Sequence, residues 1–178
     1  MYFCNANING MESVRIIASY ICDRYKREFG EQIDEMKLHK LLYLTQRECL
    51  MLTGEPMFEA TFHAWRYGPV LPEIRKLYKA DALHNNISRE TELEYKTVFD
   101  RIFREFAGKR SSVLSNMTHG DYSWQHAREG YGKYEDSDVP MLLDDIRKDA
   151  EYFKRRISML HAFDRIGLTK EKLQVFLL

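Results

Sequence analysis

Apolar residues recur at intervals of three and four along most of the chain. The first run, Val14, Ile17, Ala18, Ile21, Cys22, Tyr25 and Phe29, lays a single stripe along one helical face. It predicts a helix over about Met11 to Phe29, with Asn9 and Glu12 as a capping pair and Gly30 as a left-handed stop. A second stripe, Leu38, Leu41, Leu42, Thr45, Cys49 and Leu52, predicts a helix over 34–53, capped by Asp34 and ended by Gly54. Lys37, His39 and Lys40 then fall on its polar side.

After Gly54 the helical period stops. Residues 57–67 are aromatic and β-prone and predict a short extended or β segment. Gly68-Pro69 marks a rigid corner, and Pro72 suits the first turn of a helix carrying Ile74, Leu77 and Tyr78. A polar stretch at 79–89 reads as a loop. From Thr91, with Glu94 as its capping partner, Tyr95, Val98, Phe99, Ile102, Phe103 and Phe106 predict one long helix closed by Gly108. A short helix capped by Ser111 or Ser112, a break at Gly120 and one further turn come next. The last long helix starts near Pro140, with Leu143, Ile146, Ala150, Phe153, Ile157 and Leu160 as a heptad-like seam. Gly167 ends it, and Thr169 caps a final apolar turn carrying Leu173, Phe176 and Leu177. The fold class read from this pattern is mainly α: a compact single-domain helical bundle.

Composition narrows the function classes. Among 178 residues, Lys+Arg and Asp+Glu both number 27, so no basic excess is present to neutralise phosphates, and nucleic acid is not an expected partner. Cys4, Cys22 and Cys49 match no zinc or redox spacing and read as reduced thiols, which places the protein in the cytoplasm. The first ten residues lack the charged start and long apolar stretch of a secretion signal. No apolar run approaches the ~20 residues a membrane span requires.

The chemistry of sites is sparse. The chain has no glycine-rich phosphate loop, no nucleophile elbow and no paired-histidine zinc motif. His119 and His126, seven residues apart, would need Asp121 or Cys49 to complete a metal site, and hydrogen bonding near a helix end is the simpler reading. Asp144 and Asp145 read as a solvated pair. No catalytic residue, metal or cofactor is therefore expected. The helix 34–53 leaves a DNA-binding regulator open, because a short join before it fits a helix-turn-helix with Lys37, His39 and Lys40 at the start of the reading helix.

Four ordered stretches carry a resemblance: "MKLHKLLYLTQ" (36–46), "AWRYGPVLPEI" (64–74), "LSNMTH" (114–119) and "SWQHAREG" (123–130). Together they resemble the SocA-like Panacea antitoxin domain family, also known as phage-associated GepA-like proteins. Members of that family carry a K-L-x-K-L-L-Y helix, an A-W-x-Y-G-P-V corner, a T-H pair and a downstream W-x-x-A-R. The likeness covers about Glu12 to Phe153. It divides the chain into a tail (1–11), a Panacea-like helical domain (12–153) and a C-terminal helical extension (154–178). Asp34 stands where the family usually has threonine, a change that keeps the capping chemistry. Residues 80–89 follow no family pattern.

The resemblance implies an antitoxin of a bacterial or phage toxin–antitoxin system, acting by direct protein–protein contact and without catalysis. Its expected partner is a cognate protein toxin. A protease is a second partner if the protein is instead an adaptor that delivers its partner for degradation, and a second copy of the chain is a third. Within the matching stretches, Lys37, Leu38, Lys40, Leu41, Leu42, Tyr43, Trp65, Gly68, Pro69 and Thr118 are expected to hold the fold. Arg66, Tyr67, His119 and Trp124, whose side chains resemble binding hot spots, are the expected partner contacts. A purely structural role for all of them is the competing reading.

Overall fold

The computed structural model describes residues 12–133 and 135–165. The 1–11 tail with Cys4, the Gly167 stop, the Thr169 cap and the turn at Leu173, Phe176 and Leu177 lie outside the described residues. Eight helices and one two-stranded hairpin are present among the described residues, in the order α1 (Val14–Phe29), α2 (Glu35–Thr53), β1 (His63–Trp65), β2 (Gly68–Val70), α3 (Pro72–Lys79), α4 (Arg89–Glu94), α5 (Lys96–Ile102), α6 (Ser111–His119), α7 (Tyr122–Ala127) and α8 (Leu143–Arg165). The fold is mainly α, and none of these helices is long and apolar enough to cross a membrane.

Local chemistry sets the first two helices. Gly30 and Gly54 both adopt left-handed backbone, φ 74° and 83°, and their N–H groups close the last turns on Lys26 and Leu50. Asp34 accepts the Lys37 N–H at 2.8 Å, satisfying one of the free donors at the start of α2. Helix α1 starts at Val14, three residues later than its stripe predicts, after Ser13.

Helix α2 is the axis of the molecule. It packs against α1, α3, β2, α5, α6 and α8, and every residue from Leu38 to Met51 is buried. This corrects the two-faced helix read from its stripe: the face carrying His39, Lys40, Gln46, Arg47 and Glu48 is covered by the hairpin, the 57–58 segment, α5, α6 and α8. The correction removes the DNA-reading role. A recognition helix must present its first turns to a groove, and His39 and Lys40 lie inside the protein. Leu52, assigned to the buried stripe, is 44% exposed in the last turn, where α2 runs past its neighbours.

The extended segment falls at the end of 57–67 and continues past it. Strands β1 and β2 pair antiparallel, His63 with Val70 and Trp65 with Gly68, so Arg66 and Tyr67 make the turn and Gly68-Pro69 belongs to the second strand. The long helix expected over 91–108 is interrupted. Ser88, not Thr91, caps α4, accepting the Thr91 N–H at 3.0 Å. The helix breaks at Tyr95 (φ −96°, ψ 12°) and widens to a π-helical turn over Phe103–Ala107. Tyr95, Val98, Phe99, Ile102, Phe103, Phe106 and Ala107 are nonetheless buried along the interrupted helix, as their spacing predicts. In α8, Ile146 and Ala150 are buried and Phe153 and Ile157 pack against the core, so this part of the seam lies on the domain itself.

Candidate partner-binding site

The hairpin is held by side chains that reach its backbone from three sides. Lys40 Nζ donates to the Pro69 carbonyl at 3.0 Å, and the Leu71 N–H donates to His39 Nδ1 at 3.3 Å. From α6, Ser115 Oγ donates to the Tyr67 carbonyl at 2.8 Å. Trp124 Nε1 of α7 donates to the Trp65 carbonyl at 3.0 Å. Ser137 Oγ donates to the Ala64 carbonyl, and Arg128 donates to Ser137 Oγ and, at 2.7 Å, to the Glu135 carbonyl. The outer edge of β1 is closed by Ala64 N–H to Val139 O at 2.8 Å and Met141 N–H to Phe62 O at 2.7 Å. Because both edges are paired, the hairpin offers no free strand to a partner. It offers its tip.

At that tip Tyr67 is 55% exposed, and the Arg66 guanidinium lies over its ring at 4.5 Å. Arg66 Nε also faces Asp136 at 3.4 Å. Of the four expected contact residues, Tyr67 is exposed and Arg66 is half-buried beside it. His119 and Trp124 are half-buried and stack on each other, ring centroids 4.1 Å apart, behind the hairpin. Burial, with Lys40, Arg128 and Lys133 nearby, holds His119 below the usual histidine range. His126 turns away to Asp145, with Nδ1 2.7 Å from Oδ2. The two histidines share no site, and among the described residues no three His, Cys, Asp or Glu side chains gather as metal ligands. Asp145 is buried between His126 and Lys148, not solvated beside Asp144 as its sequence position implied.

Beside the tip runs a groove of about 860 Å³ between the start of α2, the hairpin and the 131–138 loop. Met36, Trp65, Tyr67, Val70 and Tyr131 form its apolar wall, and His39 and Lys40 its floor. Lys40 is 1% exposed, and Gly68 lies directly over it. Burial pulls the Lys40 ammonium down to about 7, opposed by Asp34. Burial, with Lys40 and Arg75, takes His39 down to about 3. His39 Nδ1 accepts the Leu71 N–H, so the ring proton sits on Nε2, for which no acceptor is present among the described residues.

Lys40 should therefore govern part of the pH dependence of stability. Its folded-state basicity is depressed below the unfolded value, so its contribution is present above about pH 10 and is lost as pH falls toward 7. Lys40→Met removes that titration. Relative to Lys40→Met, the native chain should gain about 2–4 kcal/mol between pH 7 and 10. Urea unfolding of both proteins across that range measures it, and the cysteine and tyrosine titrations common to both cancel in the difference.

A second buried polar cluster joins α2, α7 and α8. Arg47 Nη1 donates to both Asp121 oxygens (3.2 and 2.9 Å), Nη2 donates to Glu48 at 3.0 Å, and the guanidinium lies on the Phe153 ring at 4.0 Å. Asp149 accepts the Tyr122 and Ser123 N–H groups at 2.8 and 2.9 Å, capping α7 from another helix. Tyr43 Oη donates to Asp121 at 2.8 Å. Burial, with the two aspartates close by, pushes the Tyr43 hydroxyl well above its ordinary range. Burial likewise raises Asp121, Arg47 opposing and Asp149 reinforcing. None of these groups lines the groove, and their bonds tie helices together.

The motif positions thus converge on the hairpin and α2. Leu38, Leu41, Leu42, Tyr43 and Thr118 are buried, Lys37 donates to Tyr25 Oη at 2.7 Å, and Thr118 Oγ1 donates to the Ser115 carbonyl at 3.0 Å. Sequence reasoning did not single out Ser115, Arg128, Ser137 or Asp138. Arg128 closes the W-x-x-A-R stretch, and that repeated arginine was its available signal. Ser137 and Asp138 carry none.

Residues 38–125 match the family described as Antitoxin SocA-like, Panacea domain. Over 75 residues the chain is 29% identical to Antitoxin SocA of Caulobacter vibrioides (strain NA1000 / CB15N), an alignment that covers 42% of this chain and 39% of that protein. No solved structure matches the chain. The family match takes in α2 from Leu38, the hairpin and its groove face, α6, and α7 as far as Gln125.

Proposed function

Residues 38–125 belong to the SocA-like Panacea antitoxin domain family, and from that premise we propose that the protein neutralises a cognate protein toxin by direct contact, through the Arg66–Tyr67 tip and the groove beside it. The observation that carries this placement is the contrast within one hairpin. Side chains from α2, α6, α7 and the 131–138 loop fix its backbone, yet its turn holds an exposed tyrosine under an arginine. Tyrosine and arginine on a pre-ordered backbone lose little conformational freedom on binding, which is the character of an interface hot spot. The protein is read as a binding module with no reaction of its own.

Co-expression with the product of the adjacent open reading frame tests this. The native chain should restore growth that the neighbour arrests. Tyr67→Ala combined with Arg66→Ala should leave the chain folded, at a cost of about 1 kcal/mol set mainly by the half-buried Arg66. The same pair should weaken toxin binding by about tenfold or more. Unchanged binding and unchanged rescue by a folded double variant would remove the tip from the interface.

A further inference from the structure

The charges lining the groove are unevenly matched. Arg75 Nε meets Glu35 at 2.8 Å, Arg66 meets Asp136 at 3.4 Å, and Asp138 accepts from Trp65 Nε1 at 2.7 Å and lies 2.8 Å from His63 Nδ1. Each of these carboxylates is thus already engaged. Lys40 on the floor has no carboxylate within ion-pair distance among the described residues. Its ammonium donates to the neutral Pro69 carbonyl, which leaves donors unused. His39, beside it, has a buried Nε2–H without an acceptor. The groove floor therefore holds one cation and one free N–H donor and no anion to receive them.

Such donors are costly to bury unpaired, and a carboxylate would satisfy both with charge-assisted bonds. Burial, opposed by Asp34, depresses the basicity of Lys40, and a carboxylate in contact would restore it. The surroundings point to a protein as the source of the carboxylate. Aromatic residues and methionine share the lining with charged pairs, the mix of a protein interface, and the exposed Tyr67 of the tip is part of it.

We propose that the groove takes an aspartate or glutamate side chain, set between apolar residues on a surface segment of the protein partner, with its carboxylate received by Lys40 and His39. The flanking apolar residues lie against Met36, Trp65 and Tyr131. The identity of the partner rests on the antitoxin reading, whereas the chemistry of the groove does not.

The test uses the purified full chain and a library of random heptapeptides displayed with both ends joined to the carrier. Selection should enrich sequences with an acidic residue between apolar ones. A selected peptide, blocked at both ends, should lose about tenfold or more in affinity when its acidic residue is replaced by the matching amide. Lys40→Met should bind both versions alike, at the level of the amide. If that variant does not fold, the acid and amide peptides compared on the native chain still decide the question. Equal affinity for the two peptides, or selection without acidic residues, would overturn the proposal. Preference for a peptide with a free C-terminus and no acidic side chain would also overturn it, in favour of a site for chain ends. Failure to rescue growth alongside intact acid discrimination would remove the antitoxin reading alone; the opposite pair of results would remove only the chemistry of the groove.

Discussion

Arg47→Ala is expected to lower the unfolding free energy by about 3–5 kcal/mol, because it strips a buried charge cluster of its cation. Arg47 is 2% exposed and holds Asp121 through two hydrogen bonds and Glu48 through one. Removing it leaves buried Asp121 without its counter-charge, while Glu48 keeps Arg101 at 2.6 Å, and it takes away the surface on which Phe153 of α8 rests. Urea unfolding at pH 7 measures the loss as a lower midpoint with the slope retained. The pH dependence gives an independent check. Asp121 already titrates above its ordinary value in the folded chain, chiefly through burial. An acid whose folded pKa is raised favours the fold when protonated and opposes it as pH rises through that pKa. Without Arg47 the Asp121 value climbs further, so the destabilisation should shrink as pH is lowered toward 4. A loss below about 1 kcal/mol, or a loss independent of pH, would mean that Arg47 is not the counter-charge of this cluster. The double variant Arg47→Met, Asp121→Asn should recover part of the stability, because it removes both charges together.

Gly68→Ala is expected to cost about 3 kcal/mol or more, combining backbone strain with a clash. Gly68 has φ 104°, where a side chain is strained whatever the space around it. A Cβ there would fall 2.6 Å from Lys40 Cε and 2.9 Å from Thr118 Oγ1. Relief requires moving Lys40, which would break its bond to the Pro69 carbonyl and loosen β2 from α2. The substitution should therefore affect function as well as stability. Partner binding should fall even at temperatures where the variant is fully folded, because the tip no longer sits on an ordered hairpin. Calorimetric unfolding reads the first effect and a binding isotherm below the transition reads the second. Alanine at position 68 with native stability would show that β2 can move away from α2 without cost.

Parts of this architecture were legible without coordinates because their causes lie within a turn of chain. Asp34 caps α2 by reaching Lys37 three residues on, Gly30 and Gly54 stop their helices through their own backbone freedom, and Pro72 starts α3. The apolar spacing of α1 and α8 identified most of the core residues on those helices, whereas that of α2 missed Tyr43, Leu44, Leu50 and Met51. The stretch 64–74 also marked a rigid corner at this point of the chain before its pairing as a hairpin was known.

Other features depend on partners dozens of residues away. His39 and Lys40 occupy positions on α2 that periodicity assigns to solvent, and both are buried because β2, arriving some thirty residues later, covers that face. Asp145 reads as a surface acid of α8 until α7 places His126 against it, and Asp149 meets the Tyr122 and Ser123 N–H groups only through the fold. The groove has no sequence signature of its own, since its wall comes from α2, the hairpin and the 131–138 loop. Helix ends, helix faces and the family motifs were thus written in the chain itself, since short-range sterics and spacing determine them. Which polar residues lose their water was decided by the fold alone, because desolvation depends on what packs against a side chain and not on its neighbours in sequence.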